Sequence, residues 1–363
     1  MKLTWRRFDL ELRNRWTISR TQAAGPEAAG GCAIQPVVFV RLEAPDGTVG
    51  LGEASPCRRY QESEETVENF LRSVDPVRLD FDSLEDSLAA VRSLAPGNSA
   101  AKCALDIALV DGASRRAGQP VHAFLGLGFT EGRHATSFSI GIDTPERMAA
   151  KVAAASEYPI LKIKLGSPDD EAALRAVREA APGRRLRVDA NEAWHDREEA
   201  LRQIERLARD PDIEFVEQPM PAATPPGDLA WLKARSPLPL MADESYQQAG
   251  AVEGVTEGFH AVNVKLVKTG GLSGGLEALK AARAAGLQTM LGCMIESSLL
   301  ITAAAHLADL TDYLDLDGNL LVGNDPYVGV SAGEGRLSLV DAPAGEGLRV
   351  RLRGGAGDGS SLP

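Results

Sequence analysis

From about residue 136 onward, short apolar runs with period-two polarity alternate with longer stretches of helical spacing. Strands are predicted near 137–141, 160–165, 185–189, 213–217, 238–242, 260–266, 287–292 and 313–316. Helices are predicted between them at about 145–157, 168–181, 196–209, 226–235, 248–257, 272–285 and 297–309. Eight strands with seven intervening helices predict an α/β fold, a (β/α)7β TIM-like barrel. No helix follows the eighth strand. Asn319 leads instead into a Gly/Pro-rich tail with strand-like pieces at Arg336-Leu-Ser-Leu-Val and Leu348-Arg-Val-Arg-Leu.

The pattern before residue 136 differs. Residues 2–14 alternate through Leu3, Trp5, Phe8, Leu10 and Leu12 and read as a strand. Residues 36–43 form a second strand, Asp46-Gly47 a hairpin turn, and residues 48–54 a third strand. Helical spacing follows at 62–74, 83–94 and 98–117. This divides the chain into an α+β capping domain (1–125), a barrel (126–320) and a C-terminal segment (321–363) that returns to the capping domain. The Gly/Ala-rich stretch at 21–31 has no periodicity and reads as a mobile loop, and the last ten residues read as disordered.

Charge enters where the strands end. Lys164, Asp189, Glu217, Asp243 and Lys268 follow one another at steps of 25, 28, 26 and 25 residues, the length of one strand, one helix and two loops. Chemistry recurring at that step is what the catalytic face of a barrel carries. A single acid there would be no more than a cap for the next helix. Three in consecutive units, flanked by lysines, point to a site. Their hard oxygen ligands suit Mg²⁺, and the absence of histidine at this spacing disfavours zinc. Lys162 and Lys164 share one face of their strand, which in a barrel is the interior, where an unpaired lysine is costly. Lys265 and Lys268 have odd spacing, so one leaves the inward row; Lys268 is placed at the strand end, before Thr269-Gly270-Gly271. Burial, like charges and a nearby cation would each lower a lysine's pKa toward that of a usable base.

A net charge of −12 argues against nucleic-acid binding. No stretch approaches a membrane span, and the N-terminus has no apolar signal region. Four scattered cysteines read as reduced thiols, which predicts a cytoplasmic protein.

Taken together, Lys-x-Lys, Asp-x-Asn, Glu-Gln-Pro, Asp-Glu-Ser and Lys-x-x-Lys-x-Gly-Gly, in this order and spacing, resemble the enolase superfamily and, within it, the muconate-lactonizing subgroup. The resemblance covers nearly the whole chain. It implies an isomerase in which Mg²⁺, held by Asp189, Glu217 and Asp243, stabilises an enediolate formed by removing a proton α to a carboxylate. It further implies Lys164 and Lys268 as acid/base residues on opposite faces of the substrate. Lys162 would hold the substrate carboxylate, and Asn191, Glu244 and Lys265 would support the ligands. A homo-oligomer is common in the family. The seventh strand carries Leu291-Gly-Cys-Met294 and no histidine, which argues against the mandelate-racemase-like members.

Asp315 and Asp317 share a face at the mouth of the eighth strand. This Asp-x-Asp resembles dipeptide epimerases, in which two such aspartates bind the substrate ammonium group. Cys293-Met-Ile-Glu-Ser297 and Pro56-x-x-Arg59-Tyr60-x-Glu62-Ser63 resemble them as well, and add Met294, Glu296, Arg59 and Tyr60 to the substrate-binding candidates. Members acting on Ala-Glu tend to carry a basic side chain in the first capping loop. Arg20 stands nearby, followed by Thr21, Gln22 and Ala23, while Trp16 and Ile18 could frame an apolar pocket. The expected substrate is thus a dipeptide epimerised at its C-terminal residue. The same scaffold also admits an N-acylamino-acid racemase, an o-succinylbenzoate synthase or a muconate-type cycloisomerase. A non-catalytic binding barrel ranks last, since it would leave buried charges without use.

Overall fold

The computed structural model of the chain describes residues 1–19, 31–354 and 362–363. Arg20, most of the predicted mobile loop and most of the predicted disordered tail lie outside these. The chain opens with a three-stranded antiparallel meander: β1 (Lys2–Trp16), β2 (Cys32–Glu43) and β3 (Val49–Ala54), in the order β1-β2-β3. Three helices follow, α1 (Glu64–Ser73), α2 (Leu84–Ser93) and α3 (Ser99–Arg116), and then a single helical turn at Val121–Phe124.

The apolar run in β2 does not alternate because both of its faces are covered. Val37 and Phe39 join Val49 and Leu51 in the core shared with the barrel. Val38, Val40 and Leu42 pack with α3 in a second core. Helix α3 lies directly on β3, and two glycines permit it. A Cβ on Gly50 or Gly52 would stand 1.9 Å from the carbonyl oxygen of Ala108 or Ala104. β2 begins earlier than the sequence pattern predicts and contains Pro36. The missing N–H costs no ladder bond on the β3 side, because β3 pairs only with residues 38–43.

The barrel consists of eight strands in sequential order: β4 (Phe138–Ile140), β5 (Ile160–Lys164), β6 (Arg185–Asp189), β7 (Ile213–Glu217), β8 (Leu240–Ala242), β9 (Ala261–Lys265), β10 (Gln288–Gly292) and β11 (Tyr313–Asp315). All neighbouring pairs are parallel. A bridge between Thr136 and Leu314, with the Ser137 N–H 3.1 Å from the Leu314 carbonyl, joins the first strand to the last. Between successive strands run α4 (Pro145–Ala154), α5 (Asp170–Ala180), α6 (Arg197–Leu207), α7 (Pro226–Lys233), α8 (Val252–Thr256), α9 (Leu266–Thr269), α10 (Leu272–Ala284) and α11 (Ser298–Ala305).

Four expectations need correction. The helix predicted at 248–257 is a 3-10 turn, Ala249–Ala251, running into the five residues of α8; Gly250 and Gly254 weaken any longer helix. The helix predicted to reach 309 stops at Ala305. Lys268 is not at the end of β9 but in the one-turn helix α9 beyond it. Four residues are too few to impose a helical period on the sequence. In the tail, residues 336–340 make only single bridges, Arg336 with Ala135 and Ser338 with Ser331. Only Arg351–Leu352 of the second piece pairs, with Tyr327–Val328.

The tail meets the N-terminal residues at several points. Gly323 N–H donates to the Glu11 carbonyl at 2.7 Å, Asn324 bonds to the backbone of Asp9 and Glu11, and Leu348 N–H donates to Asp111 at 2.8 Å. Beside this junction His306, fully buried, stacks on His122 with ring centroids 5.1 Å apart. Its Nε2 lies 3.1 Å from the Leu348 carbonyl, so Nε2 carries a proton and donates. Burial, reinforced by His122 and Arg349, pushes the His306 imidazole down to about 3 from 6.5. The native state therefore binds fewer protons than the unfolded state between these values. Stability present above pH 6.5 is lost as pH falls toward 3, by up to about 1.4 kcal/mol per pH unit. His306→Gln should flatten this acid limb in thermal unfolding scans from pH 7 to 5; an unchanged slope would show that other groups set it.

Candidate active site

The ends of β5 to β11 place a dense charge cluster inside the barrel mouth. In-register pairing puts Lys164 beside Asp189 and Asp189 beside Glu217. Asp243 follows β8 immediately. Asp189, Glu217 and Asp243 are at most 2% exposed, and one carboxylate oxygen from each lies within 4.8 Å of the others. Five carboxyls (these three with Asp315 and Asp317) face four lysines (162, 164, 265 and 268), all buried.

The pairing is specific. Lys162 Nζ lies 2.7 Å from Asp315, 2.7 Å from Glu217 and 3.3 Å from Asp189. Lys164 Nζ donates to Asp189 at 2.6 Å and stands 5.9 Å over the Trp16 ring. On the other side Lys265 donates to Asp243 at 2.9 Å. Lys268 spends all three of its protons on the Asp243 carboxylate (2.6 Å), the Asp243 carbonyl (2.7 Å) and the Asn263 carbonyl (2.9 Å). Each of the two proposed acid/base lysines thus bonds to a different acid of the trio, with Glu217 between them in strand order.

Electrostatics sorts these groups. Burial pushes the Asp189 carboxyl up, but Lys164 and Lys162 outweigh it and hold it low. Asp243 stays well below the carboxylate range against the same burial, because Lys265 and Lys268 flank it. Glu217 goes the other way: burial and the Asp189 charge raise it, and Lys162 only partly compensates. Burial outweighs Asp243 at Lys268 and lowers its pKa. At Lys162 the carboxylates, Asp315 foremost, overcome burial and raise it. Lys268 is therefore the amine shifted toward base strength, and Lys162 a fixed cation.

The remaining predicted residues divide. Asp315 accepts from Ser137 Oγ at 2.7 Å as well as from Lys162, so Lys162 supplies part of the cation that its charge requires. Asp317 accepts the Ser139 N–H at 2.6 Å and is raised by burial and by Asp315. Met294 places its sulfur 3.9 Å from Lys265 Nζ, and its N–H donates to Glu296, a fully buried acid. Asn191 donates its N–H to Asp189 at 2.9 Å. Glu244 is buried beside Asp243, and Tyr60 lies close enough that Asp243 and Lys265 act on its hydroxyl. Arg59 makes a bidentate pair with Glu192, both bonds 2.9 Å, so its guanidinium ties the capping loop to the barrel mouth.

Further residues join the predicted ones at this site. Asn263 donates to Glu217 at 2.9 Å, and Gln218 Oε1 accepts the Asp243 N–H at 2.9 Å. Glu192 accepts from Ala222 N–H at 2.8 Å in addition to Arg59. Asn263 could have been found, since it shares the inward row of β9 with Lys265. The backbone is strained at the same place: Asn191, Glu192 and Gln218 have φ of 45°, 68° and 36°. Non-glycine residues tolerate that region only where the surroundings enforce it.

The trio fits a divalent cation on its own chemistry. Its ligands are hard oxygens on three adjacent strand ends, fully desolvated and close enough to share one ion. One Glu217 oxygen, Oε2, forms an ion pair with Lys162 at 2.7 Å but accepts no well-aligned hydrogen bond from the described residues.

Comparisons with known proteins agree with this geometry. Residues 18–126 match the mandelate racemase / muconate lactonizing enzyme N-terminal domain, and residues 146–348 match the enolase C-terminal domain-like family. The chain is 55% identical over 345 residues to the L-Ala-D/L-amino acid epimerase of Pedosphaera parvula, covering 95% of this chain and 98% of that one. The substrate-liganded L-Ala-D/L-Glu epimerase of Bacillus subtilis superposes with a TM-score of 0.86 at 28% identity, covering 96% of this chain and 97% of that one. The dipeptide epimerase of Cytophaga hutchinsonii, complexed with Mg and D-Ala-L-Val, gives 0.85 at 27% identity, covering 98% and 97%. With both of its domains matched and its barrel carrying the acid and lysine positions described above, the chain belongs to the enolase superfamily.

Proposed function

We propose that this protein is a Mg²⁺-dependent dipeptide epimerase, inverting the C-terminal residue by 1,1-proton transfer between two lysines. The observation that carries the reading is that Lys164 and Lys268 bond separately to Asp189 and Asp243, two acids of one buried carboxylate cluster. The names of the relatives support the substrate class. Asp189, Glu217 and Asp243 would hold the ion. When bound, it would supply positive charge beside the substrate carboxylate, lowering the cost of charge developing there.

This chain's residues do the rest. Lys162 is a fixed cation that can orient the carboxylate. Lys268, its pKa lowered by burial, takes or returns the α-proton on one face, and Lys164 serves the other. Asp315 and Asp317 offer negative charge for a substrate ammonium, and Ser137 and Ser139 fix their direction. The Arg59–Glu192 pair ties the second capping loop to the barrel mouth beside the site.

The ammonium assignment separates a dipeptide substrate from an N-acylated one. Asp317→Asn should raise KM for L-Ala-L-Xaa dipeptides far more than for their N-acetyl derivatives. Losing a charge-assisted bond costs about 1.5–3 kcal/mol, or about 10- to 150-fold. Equal losses with both substrates would move the assignment to an N-acylamino-acid racemase.

A further inference from the structure

The capping domain sends two buried carboxylates into the barrel, and each meets the first turn of a barrel helix. Glu53, at the end of β3 and fully buried, accepts from Ser297 N–H at 2.9 Å, Ser297 Oγ at 2.5 Å and Leu300 N–H at 3.2 Å. These groups begin α11, directly after the 293–297 loop. Two residues on, Ser55 Oγ donates to the Ile295 carbonyl at 2.8 Å. Asp106 of α3, 2% exposed, accepts the Ser273 N–H at 3.1 Å at the start of α10, five residues beyond Lys268. The fit there is close: a Cβ on Gly271, whose φ is 118°, would stand 2.4 Å from Asp106. A helix start needs acceptors for its free N–H groups, and both starts take a carboxylate from the other domain. The α9 turn carrying Lys268 is four residues long and too short to hold itself. It is set between β9 and an α10 start anchored by Asp106.

We infer that Asp106 and Glu53 are positioning residues, with Asp106 holding the Lys268 turn and Glu53 holding the 293–297 loop at the barrel mouth. The capping domain is then part of the catalytic frame as well as a cover. This rests on the dipeptide-epimerase reading. It assigns to Asp106 an effect on one of the two lysines only, because Asp106 bonds at the start of α10 beside Lys268, whereas Lys164 stands on β5.

The test is α-proton exchange in D₂O with Mg²⁺, starting separately from the L,L and L,D dipeptides. Asp106→Ala should slow exchange from the epimer served by Lys268 by about a hundredfold, the cost of an ångström-scale misplacement. Exchange from the other epimer should persist without inversion. Asp106→Asn, which keeps an acceptor oxygen, should restore most of the loss. Glu53→Ala should instead raise KM and slow both epimers alike. Asp111→Asn, which loosens the buried contacts to Leu51 and Leu348, should lower thermal stability and leave exchange symmetric. If Asp106→Ala does not fold, Asp106→Leu removes the acceptor while filling nearly the same space and should give the same asymmetry. Symmetric loss, or none, in whichever variant folds would overturn the inference. Absence of exchange by the unaltered protein would instead overturn the proposed function.

Discussion

Lys268→Ala should reduce epimerisation of a dipeptide by about 10²- to 10⁴-fold, the usual contribution of a positioned general acid or base. The expected loss is large because, among the described residues, the other lysine paired with Asp243 is no substitute. Lys265, at the end of β9, also pairs with Asp243, but its pKa is raised by Asp243 against burial, and its proton stays. Lys268 has the opposite balance. It also has no freedom to retreat, since its three bonds end on Asp243 and Asn263. Exchange at the α-carbon should survive for one epimer, through Lys164, while inversion fails. Unchanged exchange from both epimers would remove Lys268 from the mechanism.

Asp243→Asn should abolish Mg²⁺ binding in calorimetry and destabilise the metal-free protein by about 3–5 kcal/mol, the cost of leaving buried charges without a partner. Both Lys265 and Lys268 depend on that carboxylate. Glu217→Gln offers the contrast. Burial and Asp189 already disfavour the Glu217 charge, so amidation should cost little stability while still costing Mg²⁺ affinity. The two substitutions should therefore look alike by calorimetry and differ in thermal unfolding. Equal destabilisation would mean that Lys162 depends on Glu217 as strongly as Lys265 and Lys268 depend on Asp243.

The barrel was legible in the sequence because its strands are buried on both sides and end in charge at a steady spacing. The acids Asp189, Glu217 and Asp243 needed only that spacing to be placed together, and the structure brings them within reach of one ion. Lys268 reads as a strand-end residue because α9 is too short to show a period. Asn263 and the Ser137/Ser139 pair carry no distinctive sequence signal because uncharged polar residues on inward rows look like ordinary strand residues. Glu53 and Asp106 were invisible for a different reason. Their partners lie 244 and 167 residues away, and nothing local distinguishes an acid that caps a distant helix from one in solvent. Arg59 read as a free cation for the substrate, whereas its bidentate partner, Glu192, lies in a strained turn that only the fold reveals.

The most direct test of the account is ¹H NMR of L-Ala-L-Xaa dipeptides in D₂O with the protein and Mg²⁺, repeated after chelation. The account predicts loss of the C-terminal α-proton signal with formation of the L,D product, arrested by chelator and restored by added Mg²⁺. An α-proton signal that persists with every dipeptide, while N-acylamino acids exchange or nothing does, would contradict it.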